Sequence, residues 1–324
     1  MTNSITDIPG ILVGHADNRA AGTGCTVVLC ESGAVAGVDA RGGAPGTRET
    51  DCLAPVNVVP LVHAVYLGGG SAFGLEGATG VMRFLESKGI GFDAGVGKVP
   101  IVPGAVLFDL AVGDPGGRPD ASMGELACKN AGISVLQGNV GAGTGAAVGR
   151  AAGLSFMMKG GTGTSSMDAG SLSVGAITAV NCYGDVRDPD TGEILAGAVN
   201  PSRDGFADTM GLLSRGPRCL SPFPAASTTI AVVATNARLS KAEATRVAIM
   251  AQDGLARTIV PAHTPFDGDT VFALALGDVE ADVAVVGALA ALTLSRAVLS
   301  AIKNANSAYG LPSYSEMRER MRKR

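Results

Sequence analysis

Three adjacent hydroxyl residues, Ser227-Thr228-Thr229, run directly into an apolar β-type segment, Ile230-Ala231-Val232-Val233-Ala234. About one helix further on, Asp267-Gly268-Asp269 opens a second such segment, Thr270-Val271-Phe272. A threonine hydroxyl attacks a carbonyl only when a base takes its proton, and a free N-terminal α-amine is one such base. Cleavage of the chain before Thr228 would create that amine, and the hydroxyl itself can start the cut by attacking its own upstream carbonyl. Carboxylates at i and i+2 share a face on a strand, so one could bond the hydroxyl or the ammonium while the second orients the first. On pattern alone, an Asp-Gly turn opening a strand is the favoured account of that pair.

Other chemistries find less support. His15, His63 and His263 form no metal-ligand pattern, and no G-x-S-x-G elbow is present. Each histidine reads as structural, with His263 shaping a loop between Pro261 and Pro265. Gly141-Ala142-Gly143-Thr144-Gly145 lacks the lysine of a phosphate loop and the full G-x-G-x-x-G pattern, so no nucleotide cofactor is expected. The cysteines contain no C-x-x-C pair, which points to buried free thiols in a reducing cytoplasm.

The elements that must carry these residues are glycine-punctuated. The chain has 47 glycines, a 46% apolar fraction and a net charge of −4. Such sparse charge argues against nucleic acid or an anionic membrane as partner. The most apolar run, Val283 to Ser295, stops at Arg296 and falls short of the roughly 20 residues that span a bilayer. A soluble protein is expected, with the basic run Arg318 to Arg324 as a frayed, solvated tail.

Gly24–Cys30 and Ala34–Ala40, separated by Ser32-Gly33, read as a hairpin. Arg41–Asp51 reads as a charged glycine loop, Val62–Leu67 as a strand and Leu75–Leu85 as a helix. Pro100–Leu110 is taken as extended and Lys159–Ser166 as another glycine loop. Leu172–Asn181 is a strand ending on an amide. From Asp185 to Pro224 the chain turns polar, a linker with a short helix near Ala207–Leu213. Ile230–Ala234 and Thr270–Leu276 are buried strands. Ser240 and Glu243 form a capping box for a helix to about Arg257, and Ala281–Ala305 is a long packed helix. Strands with helices outside imply one layered α/β domain.

The combination resembles the self-cleaving DmpA-type peptidase family, which includes L-aminopeptidase/D-esterase-amidases, β-aminopeptidases and nylon-oligomer hydrolases. The resemblance runs through Val13-Gly14-His15, Arg41–Asp51, Gly69–Gly80, Pro103–Val106, Gly141–Gly145, Asn181, the Thr228 segment and His263–Ala273. It is closest to the threonine-nucleophile branch, whose aspartates lie 39 and 41 positions beyond the nucleophile, as Asp267 and Asp269 do here.

The resemblance implies Thr228 as nucleophile, Asp267 and Asp269 as its supporting dyad and Asn181 as donor to the oxyanion. It places Arg150 where related hydrolases carry a lysine, and Phe108 where several carry a tyrosine, both toward the substrate. Ser227 stands before the scissile bond in place of the usual Asn or Gly. The implied fold is a four-layer αββα sandwich, shared with ornithine acetyltransferases and cleaved into residues 1–227 and 228–324. A tetramer of cleaved heterodimers, a small amide or peptide substrate, and no cofactor or metal complete the expectation. The alternatives are acyl transfer of the ornithine acetyltransferase kind and a catalytically silent member binding a small metabolite.

Overall fold

The computed structural model describes residues 2–216 and 227–323. Nine strands carry the architecture: β1 (Leu12–Asn18), β2 (Thr23–Ala40), β3 (Gly46–Arg48), β4 (Val62–Gly68), β5 (Gly104–Val106), β6 (Gly161–Ala169), β7 (Leu172–Val180), β8 (Ile230–Ala237) and β9 (Thr270–Val279). They hydrogen-bond in the order β6-β7-β8-β9-β2-β4-β5-β3, with β1 on β2.

Strand β2 is the pivot. The segment expected as a hairpin is a single strand of 18 residues. Its first half pairs with β1 and β4, and its second half, Val35–Ala40, pairs with β9. The register against β4 shifts between Leu29 and Ala34, where Gly33 takes a φ of +89°. The Ser32-Gly33 turn signal therefore marks a bulge that lets one strand pass between two sheet halves. Turn chemistry looks the same in sequence whether the chain reverses or only bends.

The two halves stack. Val28, Val65 and Leu67 from one face Ile177, Ile230, Val232, Phe272 and Leu274 from the other in one buried cluster. The opposite faces carry helices. Cys25, Val27, Leu29 and Tyr66 pack on α1 (Gly77–Ser87) and α2 (Ala121–Lys129). Ala231, Val233, Val271 and Ala273 pack on α4 (Lys241–Thr258) and α5 (Val283–Asn304). This is the αββα arrangement. Period-2 alternation explains it, since even positions of β8 and β9 face the other half and odd positions face the helices.

Two further expectations change. Lys159–Ser166 forms most of β6, paired with β7 along its length. A Cβ at Gly163 would lie 2.2 Å from the Ala301 backbone nitrogen, so glycine there lets α5 press on the strand, and the composition mimics a loop. Arg318–Arg322 of the basic C-terminal run belong to helix α6 (Tyr314–Arg322), capped by Ser313 and anchored by buried Met317. Of the extended region at 100–110, only β5 is a strand.

The capping box at Ser240 and Glu243 is present. The polar region after Asp185 holds α3 (Thr209–Leu213); its last part, 217–224, and Cys219 lie outside the described residues. Cys25, Cys30, Cys128 and Cys182 are buried free thiols, and Cys52 is half-buried.

Candidate active site

Strands β8 and β9 run parallel, with Ile230 level with Thr270. Just upstream, Ser227 bridges Asp267 in the same sense. This register sets the Ser227–Thr228 peptide bond beside the aspartate turn. The Ser227 amide donates to the Phe266 carbonyl at 2.8 Å, and the Gly268 amide donates to the Ser227 carbonyl at 2.8 Å. The Thr228 hydroxyl donates to the same carbonyl at 2.6 Å. The carbonyl upstream of Thr228 is thus held from two sides. A Cβ on Gly268 would lie 2.8 Å from the Thr228 hydroxyl oxygen and 2.5 Å from the Ala44 carbonyl, so glycine makes room for the hydroxyl over the turn.

Both carboxylates are buried, at 1% exposure, and both are satisfied. Asp267 accepts the Tyr183 amide on one oxygen, and the Thr264 amide and hydroxyl on the other. Asp269 accepts the Thr229 amide at 2.8 Å on one oxygen. Its other oxygen takes the His263 amide and lies 2.9 Å from the His263 ring nitrogen Nδ1. Burial, reinforced by the neighbouring Asp269 charge, pushes the Asp267 carboxyl up to about 6. The Arg41–Asp51 segment docks on this turn: the Arg41 amide donates to the Asp269 carbonyl and the Ala44 amide to that of Asp267.

On the other flank stands Asn181, fully buried at the end of β7. Its carbonyl accepts the Thr228 amide at 2.6 Å. Its side-chain oxygen accepts the Arg150 guanidinium at 2.7 Å and the Ala147 amide at 3.0 Å. The side-chain nitrogen donates to the Phe108 carbonyl at 3.2 Å, leaving its second N–H for another acceptor. The same Arg150 nitrogen reaches the Phe108 carbonyl at 3.0 Å. Arg150 is 1% exposed, and burial draws its guanidinium down to about 10.

The structure therefore brings Ser227, Thr228, Asp267, Asp269 and Asn181 into one hydrogen-bonded cluster, with Arg150 and the Phe108 backbone behind Asn181. The Phe108 ring lies near the guanidinium, 5.9 Å from its carbon.

Sequence reasoning missed Tyr183, Thr264 and the ring of His263 as partners of the aspartates. The proline-flanked loop does shape the chain at His263, which has a φ of +55°; it also delivers the imidazole to Asp269. A histidine six residues before a candidate carboxylate was the available signal. Asn181 and Arg150 fall on opposite sides of the Lys159–Ser166 glycine run, and nothing local in the sequence joins them.

Chemically, the cluster offers a hydroxyl pressed on a polarised carbonyl, two carboxylates that bind N–H groups, and a free amide donor. The comparisons with known proteins agree with that chemistry. Residues 3–313 match the family model described as Peptidase family S58. The chain is similar to an uncharacterized aminopeptidase of Mycobacterium tuberculosis, 47% identical over 348 residues, covering 97% of this chain and 98% of that one. It is 28% identical to a 6-aminohexanoate-oligomer endohydrolase of a Kocuria strain, over 85% of this chain and 75% of that one. Among solved structures, a Burkholderia beta-aminopeptidase overlays with a TM-score of 0.71 at 21% identity, covering 100% and 94% of the two chains. An L-aminopeptidase D-Ala-esterase/amidase of Ochrobactrum anthropi, described as a variant of the Ntn hydrolase fold, overlays at 0.72 and 21%, covering 99% and 94%.

Proposed function

The chain belongs to peptidase family S58 and is a hydrolase of amide bonds, and we propose that it works as a self-processing N-terminal-threonine enzyme with Thr228 as nucleophile. The observation that carries this reading is the Ser227 carbonyl, held by the Gly268 amide and touched by the Thr228 hydroxyl. In self-cleavage, the Thr228 oxygen attacks the Ser227 carbonyl carbon. The carbonyl oxygen takes up negative charge against the Gly268 N–H, which is already in place and needs no reorganisation. The C–N bond breaks as the hydroxyl proton passes to the Thr228 nitrogen. That step frees the α-amine of Thr228 and leaves its oxygen esterified. Water then hydrolyses the ester, freeing the Thr228 hydroxyl and the carboxylate of Ser227.

In turnover, that amine takes the hydroxyl proton as Thr228 attacks a substrate amide, and returns it to the leaving amine. The unused N–H of Asn181 donates to the tetrahedral oxyanion, and Asp267 and Asp269 hold the Thr228 segment through its backbone. Water releases the acyl group from Thr228 by the reverse proton path. The substrate is a small aminoacyl, peptide or oligomeric amide, a class consistent with the aminopeptidase and aminohexanoate-hydrolase names of the relatives. The reading extends to a cytoplasmic enzyme assembled as a homo-oligomer of cleaved chains, consistent with its free buried thiols.

Intact-mass measurement on the purified protein, run beside a hydrolysis screen, tests the reading. The wild-type chain should split before Thr228 and hydrolyse at least one member of a panel of L-, D- and β-aminoacyl p-nitroanilides and 6-aminohexanoate oligomers. Thr228→Ala should remain a single 324-residue chain without activity. A Thr228→Ala protein that still splits at that bond would sink the idea.

A further inference from the structure

Lys159 is a lysine with no exposed surface, set at the start of the segment that leads into β6. Its ammonium donates to the carbonyls of Gly143 and Ala146, each at 2.8 Å, and of Gly160 at 3.1 Å. Three donors meet three acceptors, the full complement of a protonated amine. Among the described residues no carboxylate forms an ion pair with it. The carboxylate that acts on it through space, Asp109, gives its own oxygens to the Thr23 hydroxyl and the Gly70 amide. Burying a cation without an ion partner is costly, and burial draws this amine down to about 7.

Where the three carbonyls lie gives the cost a purpose. The loop from Gly141 to Ala147 is built from glycine and alanine, with Thr144 its only polar side chain. Its first half is pinned by side chains: Asp17 accepts the Gly141 amide, Thr26 the Ala142 amide and Thr162 the Gly143 amide. In its second half the Thr144 hydroxyl donates to Asp17, but among the described residues no amide donates to a side chain until that of Ala147, which reaches the Asn181 side-chain oxygen. Lys159 grips the carbonyls of Gly143 and Ala146 at either end of that half.

We propose that Lys159 is a positioning residue for amide hydrolysis, a buried clamp that fixes the 143–147 loop so that Ala147 and Arg150 together lock the side-chain amide of Asn181 in the orientation that donates to the oxyanion. The proposal rests on the role given above to Asn181. If Lys159 is lost, the Ala147 amide shifts and the Asn181 amide rotates away from the oxyanion, while the groups that hold the scissile Ser227 carbonyl are untouched, because its donor is Gly268.

The test uses the self-cleaved enzyme and whichever p-nitroanilide of the panel the wild type hydrolyses fastest. Lys159→Met should still split before Thr228. Its kcat should fall on the order of 10- to 100-fold, the scale of a misplaced oxyanion donor, with KM within about twofold. In an Asn181→Ala background the same substitution should cost nothing further, because both changes disable one donor. If the methionine variant does not fold, Lys159→Gln keeps one terminal amide able to reach two of the carbonyls and should show an intermediate kcat with the same KM.

A kcat for Lys159→Met within twofold of wild type overturns the proposal. So does a loss that multiplies with that of Asn181→Ala, or a glutamine variant that loses splitting and turnover alike. Absence of turnover by the wild type would instead overturn the functional reading itself, so the two failures are distinguishable.

Discussion

The two flanks of Thr228 are built by opposite means. On one side, Asp267 and Asp269 come from a single turn, and all but one of their donors are neighbours on that turn and the adjoining strand, Thr264, His263 and Thr229, the exception being the Tyr183 amide. On the other, Asn181 is fixed by Arg150 and Ala147, with Lys159 behind them and Phe108 in front, from segments spread over more than 70 residues of sequence. The acidic flank is dense in charge and locally encoded. The basic flank holds two buried cations that grip carbonyl and amide oxygens rather than carboxylates. In the proposed mechanism, negative charge beside Thr228 stabilises the ammonium that forms as its amine takes the hydroxyl proton, and cations kept one layer back steady a neutral donor without competing with that ammonium.

This contrast can be broken from the acidic side most severely. Asp267→Asn should lower turnover on the order of a thousandfold, in the range seen when one member of a catalytic set is removed. The wild type should also lose Tm relative to this variant as pH rises from about 4 to about 6. Folded Asp267 holds its proton more tightly than the unfolded chain does, with its carboxyl at about 6 against an ordinary value of 3.8. Between those two values the native state binds more protons, so stability falls as pH rises through that window and stays lower above it. The amide does not titrate, so a Tm difference that is constant across the window would contradict the assignment of strain to the buried carboxylate.

Next in size is the pH profile of the wild type. If the ionised Asp267 supports the nucleophile, kcat/KM should fall about tenfold per pH unit below a midpoint near 6. A profile flat down to pH 5 would place the working carboxylate elsewhere.

The smallest effect belongs to the basic flank. Arg150→Lys keeps the charge but ends one bond short of the single guanidinium nitrogen that reaches the Phe108 carbonyl and the Asn181 oxygen together. A kcat loss of about tenfold is expected, with self-cleavage retained. A larger loss than that of Asp267→Asn would reverse the ranking of the two flanks.

Read as pattern, the amino-acid sequence left Asp267-Gly268-Asp269 as a strand-opening turn. The family resemblance, through the spacings of 39 and 41, singled out Thr228 and its two carboxylates, and the parallel register of β8 and β9 brings the two segments together. The sequence by itself did determine the buried strands and the capped helix α4, whose signals are local: continuous apolar runs and a Ser240–Glu243 box. Where glycine carried the signal, the reading failed. The run 161–166 is a strand and Ser32-Gly33 a bulge, because a missing Cβ serves close packing and turning alike, and only the neighbour, α5 or the second sheet half, tells which. The tertiary structure alone decided what stands behind Asn181. Arg150, Lys159 and the 143–147 loop meet there because β6 and β7 pair antiparallel and bring residue 161 beside residue 180. Hydrogen bonds across that distance leave no periodicity and no spacing in the chain. They exist only once the sheets have stacked and water has left the space between them.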